Sequence, residues 1–202
     1  MKKLICAVLL CAASVVYAGI YESAVVYEKG DYSKAFEEFT TAAQQGNAYA
    51  QFALGVMYAD GQGVPQDYSQ AVEWYKKAAQ QGYAGAQYNL GGMYKNGQGV
   101  RQDYAQAVAW FKKVAQQGDA KAQALLGSMY ILGQGVPQNY QMAYILFNLA
   151  ASKGDSGAEK VRDIALKKMT PAAIADAQVI TTRLHNAKDF AAELGKVLNG
   201  QK

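Results

Sequence analysis

This chain of 202 residues has only two cysteines and one histidine. Both cysteines, Cys6 and Cys11, fall within the first 18 residues. Residues 19–202 therefore exclude disulfide bonds, thiolate nucleophiles and cysteine–zinc sites. The lone histidine, His185, belongs to no catalytic-triad or metal-ligand pattern. We therefore predict neither an enzyme, nor a cofactor, nor a bound metal.

Charge of one sign and long hydrophobic runs are also scarce. The net charge is +4, and without the two lysines at positions 2 and 3 it becomes about +2, from 18 basic against 16 acidic residues. So small an excess does not predict nucleic acid or an anionic membrane as a partner. The apolar run at residues 4–16 has 13 residues, whereas a helix that spans a membrane needs about 20. We predict no membrane span.

That apolar run belongs to a segment with the features of an export signal. A positively charged start precedes it, and the sequence VYA at 16–18 offers small residues at the −3 and −1 positions before Gly19. Lipid attachment at Cys11 is the alternative, although that modification prefers a small residue where Leu10 stands. The sequence therefore predicts a cleaved signal peptide over residues 1–18 and an exported product.

What the chain has in abundance is repetition with a period of 36 residues. The phrase GQGVPQDYSQAVEWYKKAAQQG at 61–82 returns as GQGVRQDYAQAVAWFKKVAQQG at 97–118. Several independent markers keep this step: Asp31-Tyr32, Asp67-Tyr68, Asp103-Tyr104 and Asn139-Tyr140; Gly46, Gly82, Gly118 and Gly154; Leu54-Gly55, Leu90-Gly91 and Leu126-Gly127. Markers that stay in phase along a chain are the signature of a repeat array.

Each copy predicts two helices. In the copy at 47–82, Ala50, Leu54 and Met57 form an apolar stripe with helical spacing. The GQGVP stretch ends that helix, because glycine and proline interrupt regular structure. Asp67 then predicts the N-cap of a second helix, and Gln70 three residues later predicts a capping box. The array thus consists of helical hairpins.

A glycine stands inside the first helix of each copy. It recurs as Gly55, Gly91 and Gly127, although a glycine within a helix costs about 1 kcal/mol relative to alanine. Placed in phase opposite alanines such as Ala71 and Ala107, these glycines predict a close approach of two backbones. A phosphate-binding role is not predicted, because the nearby GQG loops lack the lysine and the preceding strand of a phosphate loop.

This pattern resembles the Sel-one-like repeat family, the SLR branch of the tetratricopeptide superfamily. The stretch AQYNLGGMYKNGQGVRQDYAQAVAWFKKVAQQG at 86–118 and its counterparts at 50–82 and 122–154 carry the resemblance. The resemblance implies an all-α, right-handed α-solenoid of stacked helix-turn-helix repeats from an exported bacterial protein. The expected order is a signal peptide over 1–18, a degenerate tetratricopeptide-like repeat over 19–46, SLR repeats over 47–82, 83–118 and 119–154, and a degenerate repeat with capping helices over 155–202.

The resemblance also implies a concave face, lined by the first helix of each repeat, that receives a protein or peptide partner. The residues predicted to contact the partner are Tyr49, Phe52, Val56, Tyr88, Asn89, Lys95, Asn96, Lys121 and Ser128. Aromatic residues early and lysines later favour an extended peptide with an apolar anchor and a carboxylate. Alternatively, the three aromatic residues simply pack against neighbouring helices.

We therefore predict an exported protein-interaction adaptor in a bacterial periplasm, with secretion or surface display as alternatives. Two other functions stay open: a hydrolase like the cysteine-rich SLR proteins described as acting on β-lactams, and a structural spacer. The lysine pairs at 76–77 and 112–113 form a basic ridge on the second helices. We expect this ridge to be solvated, with an anionic partner as the alternative.

Overall fold

The computed structural model describes residues 21–200, and all regular structure within them is helical. The predicted signal peptide over 1–18 lies outside the described residues. The helices are α1 (21–28), α2 (Tyr32–Gln44), α3 (Ala48–Asp60), α4 (Tyr68–Gln80), α5 (Ala84–Asn96), α6 (Tyr104–Gln116), α7 (Ala120–Leu132), α8 (Tyr140–Ala151), α9 (Ser156–Leu166), α10 (Pro171–His185) and α11 (Phe190–Leu198). Among these described helices, none has the length and apolar character that a membrane crossing requires.

The helices follow one another as hairpins, which confirms the predicted all-α fold of helix-turn-helix repeats. They form two compact units, Met1–Ala86 with Gln98–Val100 and Gln87–Gly97 with Arg101–Lys202. In the first unit α3 packs against both α2 and α4, around a core that includes Phe39, Leu54 and Met57. In the second unit α7 packs against α6 and α8, and α8 also contacts α9 and α10.

The cap of each second helix also closes the loop that precedes it. The Asp67 carboxylate accepts hydrogen bonds from the backbone N–H groups of Ser69 and Gln70, as an N-cap does. The backbone N–H of Asp67 donates to the Tyr58 carbonyl at 2.9 Å, so this donor is not left for the Gln70 side chain. The reciprocal half of the predicted capping box is therefore wrong. The same backbone bond recurs between Asp103 and Tyr94.

A glycine in each loop lies directly on the preceding repeat's second helix. Gly135 has φ +71°, and a Cβ atom there would lie 2.2 Å from the Tyr104 carbonyl oxygen and 2.7 Å from the Ala105 nitrogen. Gly63 and Gly99 contact the start of a helix in the same way. Only glycine satisfies both the left-handed backbone and the contact. These glycines therefore fix how successive repeats join.

The glycines inside the first helices face aromatic rings. A Cβ atom at Gly55 would lie 2.5 Å from the Tyr75 ring, and one at Gly91 would lie 2.9 Å from the Phe111 ring. Gly127 faces Phe147 in the same manner, at 3.1 Å. The predicted approach to small residues is therefore wrong, because each missing side chain makes room for a ring of the following helix. These rings are buried and form much of the core.

The helices after the third repeat pack against second helices. Helix α10 lies on α8, and α11 lies on α6 and α10. Helix α8 accordingly has buried side chains on consecutive positions, from Ala143 to Phe147. A helix that is apolar on all sides is one that has neighbours on all sides. Helices α10 and α11 therefore cover the second helices α6 and α8.

This covering changes the predicted basic ridge. The ammonium of Lys112 donates to the Leu198 carbonyl at the end of α11, at 3.2 Å, and burial lowers the pKa of Lys112. Lys113 lies over the Trp110 ring, with 4.2 Å between Nζ and the ring centroid. The expectation of a fully solvated ridge is thus wrong at Lys112, because α11 packs there.

Candidate functional site

In the first compact unit, the predicted contact residues Tyr49, Phe52 and Val56 all lie on α3. Tyr49 is 37% exposed, while Phe52 and Val56 are half-buried. The ring centroids of Tyr49 and Phe52 lie 6.2 and 4.9 Å from that of Tyr83, and Phe52 also meets Tyr75 at 5.9 Å. These aromatic side chains therefore pack on their neighbours and keep part of their surface in water.

Tyr83, which the sequence did not single out, is the centre of this aromatic cluster. Burial raises the pKa of the Tyr83 phenol, and Tyr49 adds to the shift. Gly85 provides the space, because a Cβ atom there would lie 3.1 Å from both the Phe52 and Tyr83 rings. The cluster offers a partner a mainly aromatic surface with hydroxyl edges, a composition common at interfaces.

In the second compact unit, three predicted residues line one cleft. This α5–α7 cleft has a volume of about 540 Å³ and is lined by Lys95, Asn96, Gln102, Tyr104, Leu125, Ser128, Met129, Leu132 and Gln134. Its apolar part comes from one face of α7, where Leu132 is 63% exposed. The Gln102 amide donates to the Lys95 carbonyl at 2.8 Å and to the Tyr104 hydroxyl at 3.1 Å, which holds one polar wall in place.

The electrostatics of the α5–α7 cleft are simple, because Lys95 is the one charged residue in its lining. No ion pair joins the Lys95 ammonium to another residue within 21–200. The Ser128 hydroxyl donates to the Ala124 carbonyl of its own helix at 3.0 Å, so its lone pairs remain open to a donor. The cleft thus combines an apolar floor with one cation and several amides.

The other predicted residues of this unit lie outside the cleft. Tyr88 packs edge-on against Phe111, with 5.7 Å between the ring centroids. The pKa of the Tyr88 phenol is raised mainly by burial and in addition by the negative charge of Asp119. Asn89 is half-buried and Lys121 is exposed on α7. Tyr88 therefore packs against α6, and its predicted contact with a partner stays a prediction.

Two leucines of the cleft depart from the residue types of the other copies. Leu132 stands where the two preceding copies have Asp60 and Asn96, and Leu125 stands where they have alanine and Asn89. A large apolar residue at a position that is polar or small in other copies departs from the packing pattern. This departure distinguishes the cleft-lining part of α7 from the other copies.

Catalytic machinery does not emerge from the described residues. Between residues 21 and 200, no group of three or more His, Cys, Asp or Glu side chains is placed to hold a metal. The His185 ring nitrogen Nδ1 lies 2.8 Å from the Thr181 carbonyl of its own helix. That contact is a bond within α10 and aligns no acid or nucleophile with the imidazole.

Tandem helical hairpins with an open cleft between first helices define a repeat protein of the α-solenoid class. A family model described as Sel1 repeat matches residues 19–47, 48–83, 84–119 and 120–155, and the chain belongs to the Sel1 repeat family. Sel1 repeats are generally protein–protein interaction scaffolds and typically not enzymes. The first match includes the segment that resembled a plain tetratricopeptide unit.

Solved structures show the same fold. A Sel1 repeat protein from Oxalobacter formigenes is 36% identical with a TM-score of 0.65, over 68% of this chain and 57% of that one. A protective antigen present in uropathogenic Escherichia coli strains, with an SLR fold, is 27% identical with a TM-score of 0.59, over 93% and 48%. Cysteine rich protein B of Helicobacter pylori, at 22% identity, TM-score 0.51 and coverage of 65% and 94%, shares the fold.

The chain spans about half the length of the first two of these proteins. No curated protein matches it.

Proposed function

We propose that this chain is an exported adaptor that binds a segment of another protein, and that the α5–α7 cleft is the main contact. The observation that supports the proposal is that the exposed Leu132 and Lys95, which has no ion pair within residues 21–200, line the same cleft of about 540 Å³. Burying Leu132 against a partner removes apolar surface from water, which favours association. Family membership supports a scaffold role in general, and the export pattern at the N-terminus supports a periplasmic location.

The chemistry of the cleft selects the kind of segment. Its floor of Leu125, Met129 and Leu132 accepts an apolar side chain, and its single cation favours a carboxylate. The Gln102 amide oxygen can accept a hydrogen bond from the backbone of an extended peptide, while its N–H groups donate to Lys95 and Tyr104. The segment we propose therefore carries a leucine-like or aromatic side chain close to an Asp, a Glu or a C-terminal carboxylate.

Selection from a random peptide library tests this directly with full-length protein. We expect wild-type protein to enrich peptides in which an apolar residue lies next to an acid. Lys95→Gln should remove the acidic preference, and Leu132→Ser should remove the apolar one. Because Leu132 is 63% exposed, its replacement should leave folding nearly unchanged.

Two matched controls make the outcome specific. Lys121→Gln removes the same charge from an exposed position on α7 outside the cleft, and Ile164→Ser removes an apolar side chain that is 52% exposed on α9. Neither should change the selected peptides. Enrichment that survives both cleft variants, or that disappears with Lys121→Gln, would refute the assignment of the cleft. The structural-spacer alternative expects no enrichment with any variant.

A further inference from the structure

A second pocket lies beyond the α5–α7 cleft, between α8, α10 and the end of α11. This α8–α10 pocket has a volume of about 380 Å³, which is in the range of small-molecule sites. The matched Sel1 repeats end at residue 155, so α10 and α11 provide walls that family membership does not supply. The pocket is therefore a property of this chain.

The α8–α10 pocket has an apolar floor and a polar rim. Ile145 and Val197 form part of the floor and are only 1% and 4% exposed. On α10, Asp176, Ile180 and Arg183 recur at helical spacing and so share one face. A ligand that enters this pocket would bury an apolar group and meet charged groups at its edge.

One of the two charges at the rim already has an ionic partner. The Arg183 guanidinium forms an ion pair with Glu193 of α11, with 2.9 Å between Nε and Oε1, and Lys196 shares the same carboxylate, with 3.1 Å between Nζ and Oε2. Asp176 has no ion pair with any residue in the described range 21–200. The rim charge without an ionic partner in that range is therefore the Asp176 carboxylate, which accepts hydrogen bonds and favours a cation.

We propose that the α8–α10 pocket binds a small amphiphilic cation, in which an apolar body carries an ammonium group. The apolar body lies over Ile145 and Ile180, where its burial displaces water. The ammonium group donates to the Asp176 carboxylate at the rim. An anionic ligand of the same shape meets repulsion from that carboxylate. This site shares no residue with the α5–α7 cleft, so it does not depend on the proposed adaptor function.

Three probes of similar shape test the charge preference: phenethylammonium, the neutral 2-phenylethanol and the anionic 3-phenylpropanoate. Methyl NMR spectra of the full chain report binding through Ile145, Val179 and Ile180. Fragments of this size reach dissociation constants of about 10 mM, which titration measures readily. We expect phenethylammonium to bind about fivefold more tightly than the alcohol, the size of an exposed ion pair, and the carboxylate to bind most weakly.

Variants separate the two parts of the site. Asp176→Asn should abolish the difference between amine and alcohol and leave the affinity for the alcohol unchanged. Asp60→Asn, an exposed acid in the other compact unit, removes the same charge and should change nothing. Val179→Ser should weaken all three probes alike, and at 69% exposure its cost in folding is small.

Several results would overturn the proposal. One is equal affinity of wild-type protein for amine and alcohol, and another is a preference that survives in Asp176→Asn. Absence of methyl shifts with every probe would show that the pocket does not open to ligands. Shifts at Val179 that grow with protein concentration alone would show that a second copy covers the pocket.

Discussion

Replacing Gly135 by alanine should destabilise the second compact unit more than the same change two residues earlier. Both Gly133 and Gly135 have left-handed backbones, with φ +68° and +71°. An alanine there costs about 1–2 kcal/mol, partly offset by about 0.4–1 kcal/mol from the less flexible unfolded chain. Gly133→Ala should therefore lower the free energy of unfolding by about 1 kcal/mol or less.

The difference between the two positions comes from the neighbours of the new Cβ atom. At Gly133 the nearest atom would be 3.6 Å away, whereas at Gly135 the Tyr104 carbonyl oxygen would be 2.2 Å away. Because that oxygen belongs to the start of α6, backbone must move, as in overpacked cores where the cost is about 1–3 kcal/mol. Gly135→Ala should thus lower the free energy of unfolding by about 2–4 kcal/mol.

Urea denaturation followed by circular dichroism measures both variants against the wild type. In a chain of this size, about 2 kcal/mol between the two variants corresponds to about 4–8 °C in melting temperature. If both alanines cost the same, the close contact between the loop and Tyr104 does not govern stability, and the account of how repeats join is refuted.

Three further predictions concern other parts of the chain. Lys153→Gln should raise the free energy of unfolding by about 1 kcal/mol, because it offers a donor to the buried Gln123 Oε1, which has no hydrogen-bond partner within residues 21–200. A glutamine can also keep the bond that Lys153 makes to the Gly118 carbonyl, as Gln81 donates to both the Gly46 carbonyl and Gln51; unchanged urea midpoints would count against this prediction. Burial lowers the pKa of Lys112 in the folded state below the 10.5 of an ordinary lysine. Between the folded and unfolded pKa values the unfolded state therefore binds more protons, so the stability of the wild type should rise relative to that of Lys112→Met as the pH approaches 10.5. Parallel pH profiles of the free energy of unfolding would contradict this. The intact mass of the protein recovered from the periplasm of an expressing bacterium should correspond to a chain that begins at Gly19, and a mass that retains residues 1–18 would refute the predicted signal peptide.

The repeats could be predicted from sequence because their signals are local. Asp67 caps a helix with atoms two and three residues away, and the apolar stripe of α3 needs only the helical period. The tyrosine ring opposite Gly55 could not be predicted, because that contact is not local. Sequence spacing shows where a helix surface lacks a side chain, but not which residue of the next helix fills the space.

The candidate sites were less accessible to such reasoning because they depend on how helices pack. Lys95 and Ser128 were predicted from repeat phase and do line one cleft, whereas Tyr88, assigned by the same phase, packs against Phe111. The position of α10 and α11 was also not predicted. Their contact with second helices depends on long-range packing at α8, and the apolar run MAYILF at 142–147 was the available indication in the sequence.

The loop glycine of each repeat contacts the second helix of the repeat before it. Gly99 contacts the Tyr68 carbonyl and Gly135 contacts the Tyr104 carbonyl, so the two contacting residues are 31 positions apart in the sequence. A duplication or deletion in the gene preserves these contacts only when its length is a whole number of repeat periods. Engineers who wish to lengthen the array should therefore insert complete 36-residue blocks and make the joins at Gly82 or Gly154, where a Cβ atom would touch nothing within 4 Å.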